Sequence, residues 1–502
     1  MLAGGLVLAA TSYSAAQTIR FIDTGPEQVG LALLQEAGLP EGLWQGSSPE
    51  RLAAALDTLP EEVKSPAQRD ALIRLLRVSA APPTGDAVTP SLASRRIALL
   101  ARLGTEEDVL ALADRVDPAL RQAPYWQARA DVAMLRYNLA GTCVLPAAAG
   151  EQAQTAAWQR LAAFCRLLRE QEEAAMVAVM LADEMAGDDP VFSQLFLSRQ
   201  FPDRPAGPSV TPSAPLHLAM IRALSQPMSL PAKWAETPAL VAGGIARYPA
   251  AGLEPRTAAA ERAVAGNVLP ADLLVQLYLA SELTTPLGSA YRQMALIQGG
   301  GEAIAAVEAF WQAAAKAGLY AQLAPFSLTF AATSPDLAAL PPAYIAKALR
   351  AALAARDVAA IGAWQNALTT AGLTKEGATA RDGAYLVLAL AGEPAPPPDV
   401  WWPAWMKAAK PGKAKAALAA GLLDALGTPV PKVSGPKADR SKAARAIADA
   451  PMGEAAVLAL AALASPSTPS DGLTVRAVEA LARVSPADAR AIAVDLALAA
   501  GL

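Results

Sequence analysis

At 502 residues and 53% apolar side chains, the chain is long enough for several domains or for one extended repeat array. Much of the apolar content is alanine and only 5% of residues are aromatic, so any core is built from small side chains. A net charge of −4 and a pI near 5.4 argue against the basic field of a nucleic-acid binder.

No convincing alternating run of strand formers occurs, and alanine is the best helix former, so the expected class is all-α. Residues 1–16, MLAGGLVLAATSYSAA, place a short apolar run before Ser14-Ala15-Ala16, a small-x-small cleavage pattern. A secretory signal peptide cut after Ala16 is expected, although no Lys or Arg precedes the apolar run. The competing readings are a buried first helix and a membrane anchor, but the run is too short to span a bilayer. No membrane span is expected in the mature chain.

Residues 17–200 read as a first block of short helices. Ser or Thr followed by Pro recurs at Ser48-Pro49, Ser65-Pro66, Thr237-Pro238, Thr285-Pro286, Ser334-Pro335 and Ser485-Pro486. The hydroxyl can accept from a free N–H of the first turn, and proline fits the first helical position. Ser65 to Gln68 adds a capping box, and Thr105 precedes Glu106, Glu107 and Asp108 at the positive end of a helix. Between these signals the apolar spacing is helical, as in Leu72, Leu75 and Leu76, or Val109, Leu112 and Val116. Short helices joined by short turns are expected to pack against their sequence neighbours.

Trp158, Leu161, Cys165 and Leu168 share one helix face. The polar stretch Glu170 to Glu173 follows, then a second apolar run through Met176, Val177, Met180 and Leu181. This is the pattern of a helical hairpin. Cys143 and Cys165 are the only cysteines, and in an exported chain they are expected to form a disulfide. The competing reading is a buried free thiol at Cys165.

Residues 201–215 hold five prolines and form a linker or crossover. A second helical block covers 216–391, where the caps Thr237, Thr285 and Ser334 stand 48 and 49 residues apart; the residues after them do not align as a repeat. Residues 392–441 are a Pro- and Lys-rich connecting region with short helices. Trp401, Trp402 and Trp405 cluster there, either pinning a loop to a helix or serving as partner-binding anchors. Seven of the twelve lysines, Lys407, Lys410, Lys413, Lys415, Lys432, Lys437 and Lys442, fall within 36 residues. They read as a solvated stretch or as a contact for an anionic surface. A C-terminal helical block covers 442–502.

The chemistry is sparse. His217 is the only histidine, so a nucleophilic triad would have to be built on it; a packing or surface role is expected. Asp183, Glu184, Asp188 and Asp189 resemble the acid clusters with which all-α terpenoid synthases hold magnesium, but Gly187 and Pro190 break the helix between them. Gly299-Gly300-Gly301 lies between two helical segments and reads as a cap and hinge rather than a phosphate cradle. Ser434-Gly435-Pro436-Lys437 has the letters of an SxxK nucleophile without the helix it needs. No catalytic residue, metal or cofactor is expected.

The succession of short helical hairpins over most of residues 28–391 resembles an α-solenoid of the tetratricopeptide-like kind, without that family's consensus at fixed offsets. The resemblance implies a right-handed superhelix of degenerate repeats and a binding scaffold whose partners are proteins. The expected function is a non-enzymatic periplasmic scaffold or adaptor in a bacterial envelope assembly. The alternatives are a peptidoglycan-processing enzyme or its accessory helical domain, and a cytosolic helical-repeat protein.

Overall fold

The computed structural model describes residues 26–200, 210–225, 231, 233–280, 285–297, 299–371, 374–428, 430, 435–465 and 467–502. The leader expected at 1–16, Lys432, Ser434 and all but the end of the 201–215 linker lie outside the described residues.

The protein is all-helical. Its one sheet among the described residues is a two-residue parallel pairing, Ala32–Leu33 with Val78–Ser79. Helix starts follow the local chemistry at four of the six Ser/Thr-Pro pairs named above. Ser48, Ser65, Thr285 and Ser485 accept from the N–H groups of Arg51, Gln68, Gly288 and Asp488. Two pairs differ. Thr237 closes a 3-10 turn, and the helix after it has its first N–H, on Ala239, bonded to Glu62 Oε1 at 3.1 Å. Ser334 accepts from Asp336 N–H in a local turn, and the next α-helix starts at Pro342. The even spacing of the three caps therefore does not mark equivalent helix starts.

Among the described residues two apolar clusters fill the interior. The larger runs from Leu39 to Leu502; the smaller gathers Ala130 to Ile221 and includes Trp158, Phe164 and Cys165. Alanines supply much of both, which lets helix axes approach closely.

Neighbour packing accounts for much of the fold but not for its closure. The helices Pro49–Asp57 and Pro66–Arg77 pack on Met452–Leu463 and Pro486–Ala499, from the other end of the chain. Arg51 donates to Glu454 Oε1 through Nε at 3.2 Å and Nη2 at 2.9 Å. Arg74 pairs with Asp488 at 3.1 Å. Asp495 Oδ2 accepts from Ser65 Oγ at 2.6 Å and from Ala67 N–H at 3.1 Å, so a carboxylate of the last helix sits at the positive end of an early one. A Cβ on Gly453 would run into the Leu43 carbonyl oxygen and the Trp44 ring, which explains the glycine at this close approach.

The loop between the first two helices is also gripped from the middle of the chain. Glu62 pairs with Arg262 at 2.5 Å; Asn267 Nδ2 donates to the carbonyls of Val63 and Lys64; Gln322 donates to Lys64 as well. Arg356 adds an ion pair with Asp70 at 2.9 Å. In a quasi-one-dimensional repeat array each unit touches only its neighbours. Here the loop between the first two helices, and the start of the second, are held by segments 200 or more residues away.

Candidate docking hairpin

The helices Ala156–Leu168 and Glu172–Ala186 form the expected hairpin. Glu170, with a positive φ of 60°, turns the chain between them. The first helix is fixed from both sides. Trp158, Leu161, Phe164 and Cys165 are buried in the smaller cluster, and Cys165 is bonded to Cys143 with a Cα–Cα distance of 5.4 Å. Arg169 also donates to the Cys143 carbonyl at 3.2 Å.

The second helix is inverted relative to its hydrophobicity. Its buried residues are Ala175, Ala178 and Ala182. Its large apolar residues face solvent: Met176, Val177, Met180, Leu181 and Met185 are 36%, 56%, 67%, 44% and 52% exposed. The alanines permit a close approach to the inner helix, and that choice of face leaves the larger side chains outside. Other exposed apolar residues, such as Leu33, Leu296, Val358 and Val400, lie on separate elements, as single apolar residues on a surface ordinarily do.

Three acids of this region, Asp183, Asp188 and Asp189, have ordinary uses. Arg160 lies 3.6 Å from Asp183 and donates to the Gly187 carbonyl at 2.5 Å. Asp188 accepts from Ser193 Oγ, and Asp189 Oδ1 accepts from Phe192 N–H at 3.1 Å, capping the Pro190–Gln200 helix. Among the described residues no group of three or more His, Cys, Asp or Glu is placed to hold a metal ion.

His217 is buried near the start of the Pro215–Leu224 helix. Its Nδ1 lies 3.3 Å from both the backbone N and Oγ of Ser213, and its Nε2 lies 3.0 Å from Asp189 Oδ2. A backbone N–H can only donate, so Nδ1 is the acceptor and the neutral ring carries its proton on Nε2, toward Asp189. The three residue types of a nucleophilic triad thus meet, but the ring nitrogen beside serine already accepts the Ser213 amide. That is a helix-capping arrangement, and it ties the start of one helix to the start of another. Burial lowers the His217 pKa; the Asp189 charge and hydrogen bond offset it only in part, and Arg160 lowers it further. For Asp189, burial acts upward but is outweighed by the Phe192 amide, by the charge and hydrogen bond of His217, and by Arg160, leaving the carboxyl below its usual range.

The clustered tryptophans Trp401, Trp402 and Trp405 are inside the protein, 1%, 3% and 1% exposed. Their rings contact one another, with Trp402 and Trp405 centroids 4.8 Å apart, and Trp401 meets Tyr385. In this fold they offer packing rather than an accessible binding surface, because the Pro398–Ala409 helix lies against Lys375–Ala391. The six described lysines of the Lys407–Lys442 stretch are exposed and make no ion pair among the described residues.

A cavity of about 680 Å³ opens where the first interhelical loop meets the last helix, lined in part by Lys64, Gln68, Tyr320, Gln322 and Asp495. One Asp495 oxygen there already accepts two hydrogen bonds. No helix among the described residues is long and apolar enough to cross a membrane. The apolar run of the outer helix is plain in the sequence, but its outward facing is not; the alanine spacing 175, 178, 182 is the available signal. Comparison with protein-family models, with curated proteins and with solved structures yields no match in any of the three.

Proposed function

We propose that the chain is a non-enzymatic helical scaffold of the periplasm that holds a protein partner on the exposed face of the Glu172–Ala186 helix. The observation that carries this reading is the solvent-facing set Met176, Val177, Met180, Leu181 and Met185 on a hairpin anchored by the Cys143–Cys165 bond. Contiguous apolar exposure is a mark of interaction surfaces, and methionine adapts its shape to a partner. The disulfide supports an oxidising compartment, in keeping with the leader expected at residues 1–16. Packing of successive helices, such as Leu253–Ala265 on Ala239–Ala246 and Pro342–Ala355 on Tyr320–Ala331, supports a solenoid of degenerate hairpins, closed by the contacts between early and late helices.

The test is photo-crosslinking in native envelopes from a photoreactive amino acid at position 180. A discrete adduct that disappears when Leu181 is changed to Glu is expected. No adduct from position 180 or 177, with the chain folded and exported, would refute the reading.

A further inference from the structure

From the charges along the same face we infer the chemistry of its occupant: a basic amphipathic helix with two cationic side chains about eleven residues apart, bracketing an apolar stripe. This rests on the proposal that the Glu172–Ala186 face is a docking surface.

Residues Glu173, Val177, Met180 and Glu184 are separated by four, three and four positions, so they lie in one line along the helix. Met176 and Leu181 flank that line. A glutamate therefore stands at each end of the apolar stripe, about 16 Å apart at 1.5 Å per residue. Both are exposed, and neither has an ion pair among the described residues. Glu173 lies in the first turn, where the helix dipole favours an acid; Glu184 lies in the last turn, where the dipole opposes it and no basic residue offsets it. The nearby cations are engaged elsewhere: Arg160 with Asp183 and Gly187, and Arg166 with the Ala174 carbonyl. Local stability thus gives no account of Glu184, whereas a cation on a partner does.

The same charges disfavour the other occupants. An antiparallel second copy would set Glu173 against Glu184 at both ends, like charges facing like. An anionic lipid surface would meet these acids with repulsion. Residues 1–16 carry no Lys or Arg and cannot supply the cations.

The experiment uses the full chain and a fluorescent peptide of about 18 residues, capped at both ends, with leucines forming one helix face and lysines at positions 4 and 15. A second peptide replaces the two lysines by glutamates. Anisotropy titrations at low salt are expected to show the lysine peptide binding at least about ten-fold more tightly. The double variant Glu173→Lys/Glu184→Lys should reverse that preference, and Met180→Glu, at a position already 67% exposed, should abolish binding of both peptides while leaving the circular dichroism spectrum unchanged. Equal binding of the two peptides, still lost in Met180→Glu, would overturn the inference and leave the docking face standing. Binding of neither peptide, or binding indifferent to Met180→Glu, would overturn the inference and its placement on this face. A concentration-dependent dimer, or co-sedimentation with phosphatidylglycerol vesicles, lost in Met180→Glu would assign the face to a second copy or to lipid and likewise overturn it.

Discussion

Replacing Arg51 by Ala tests whether the two ends of the chain are joined in solution. Arg51 gives Glu454 two charge-assisted hydrogen bonds, at 3.2 and 2.9 Å, across 403 residues of sequence. The Glu454 side chain is only 6% exposed and its Oε2 has no hydrogen-bond partner among the described residues, whereas the Arg51 side chain is 52% exposed. Removing the cation leaves a buried carboxylate uncompensated, which costs about 3–5 kcal/mol in a fully buried pair. Exposure of Arg51 to solvent screening reduces that figure, so a loss of about 2–3 kcal/mol is expected. The double variant Arg51→Met/Glu454→Leu should recover most of it, because two apolar groups leave no charge stranded. Urea unfolding followed by tryptophan fluorescence, run as a double-mutant cycle, gives the coupling directly. Additive single effects, or an Arg51→Ala cost below about 0.5 kcal/mol, would refute the closure.

Burial pushes the Asp131 carboxyl up to about 7, with the Gln127 amide acting the other way. The folded chain then keeps a proton that the unfolded chain releases, so stability from this group is full below about pH 4 and declines toward pH 7, by up to about 4 kcal/mol. Asp131→Asn should flatten that part of the pH profile in thermal melts; an unchanged profile would show that Asp131 ionises normally. Reducing the Cys143–Cys165 bond, which closes 22 residues, should cost about 3 kcal/mol and raise amide exchange between 139 and 168; unchanged exchange there would remove its role as an anchor. Trp405→Ala should destabilise the protein by about 3–5 kcal/mol, as a buried aromatic does; a near-neutral result in urea unfolding would return this tryptophan to the surface.

What was legible in the sequence is local chemistry. Ser48, Ser65, Thr285 and Ser485 cap helices because a hydroxyl and the following proline act within one turn. The Cys143–Cys165 bond is likewise local, joining cysteines only 22 residues apart. Thr237 failed as a cap because Glu62, far away in sequence, reached the Ala239 amide. Glu454, Asp488 and Asp495 read as ordinary acids on amphipathic helices; their partners lie more than 400 residues away, and no periodicity encodes that distance. The tryptophans carried two opposite readings because the same ring suits a core and a hot spot, and only packing against Lys375–Ala391 separates them.

The outer helix shows why hydrophobicity alone gave no facing direction. Transfer energy favours burying Met176, Val177, Met180 and Leu181, and places little value on Ala175, Ala178 and Ala182. Close packing decides otherwise, since small residues let this helix settle against Ala156–Leu168 while larger ones would hold it away. Three of the chain's ten methionines consequently stand on one exposed face. The two faces should then respond oppositely to substitution. Met180→Gln should change stability by no more than about 0.5 kcal/mol, whereas Ala178→Met should cost about 1–3 kcal/mol by overpacking. Unfolding titrations on both variants measure this. If Met180→Gln proved the more damaging, the methionine face would be part of the core, and a docking role for it would have no basis.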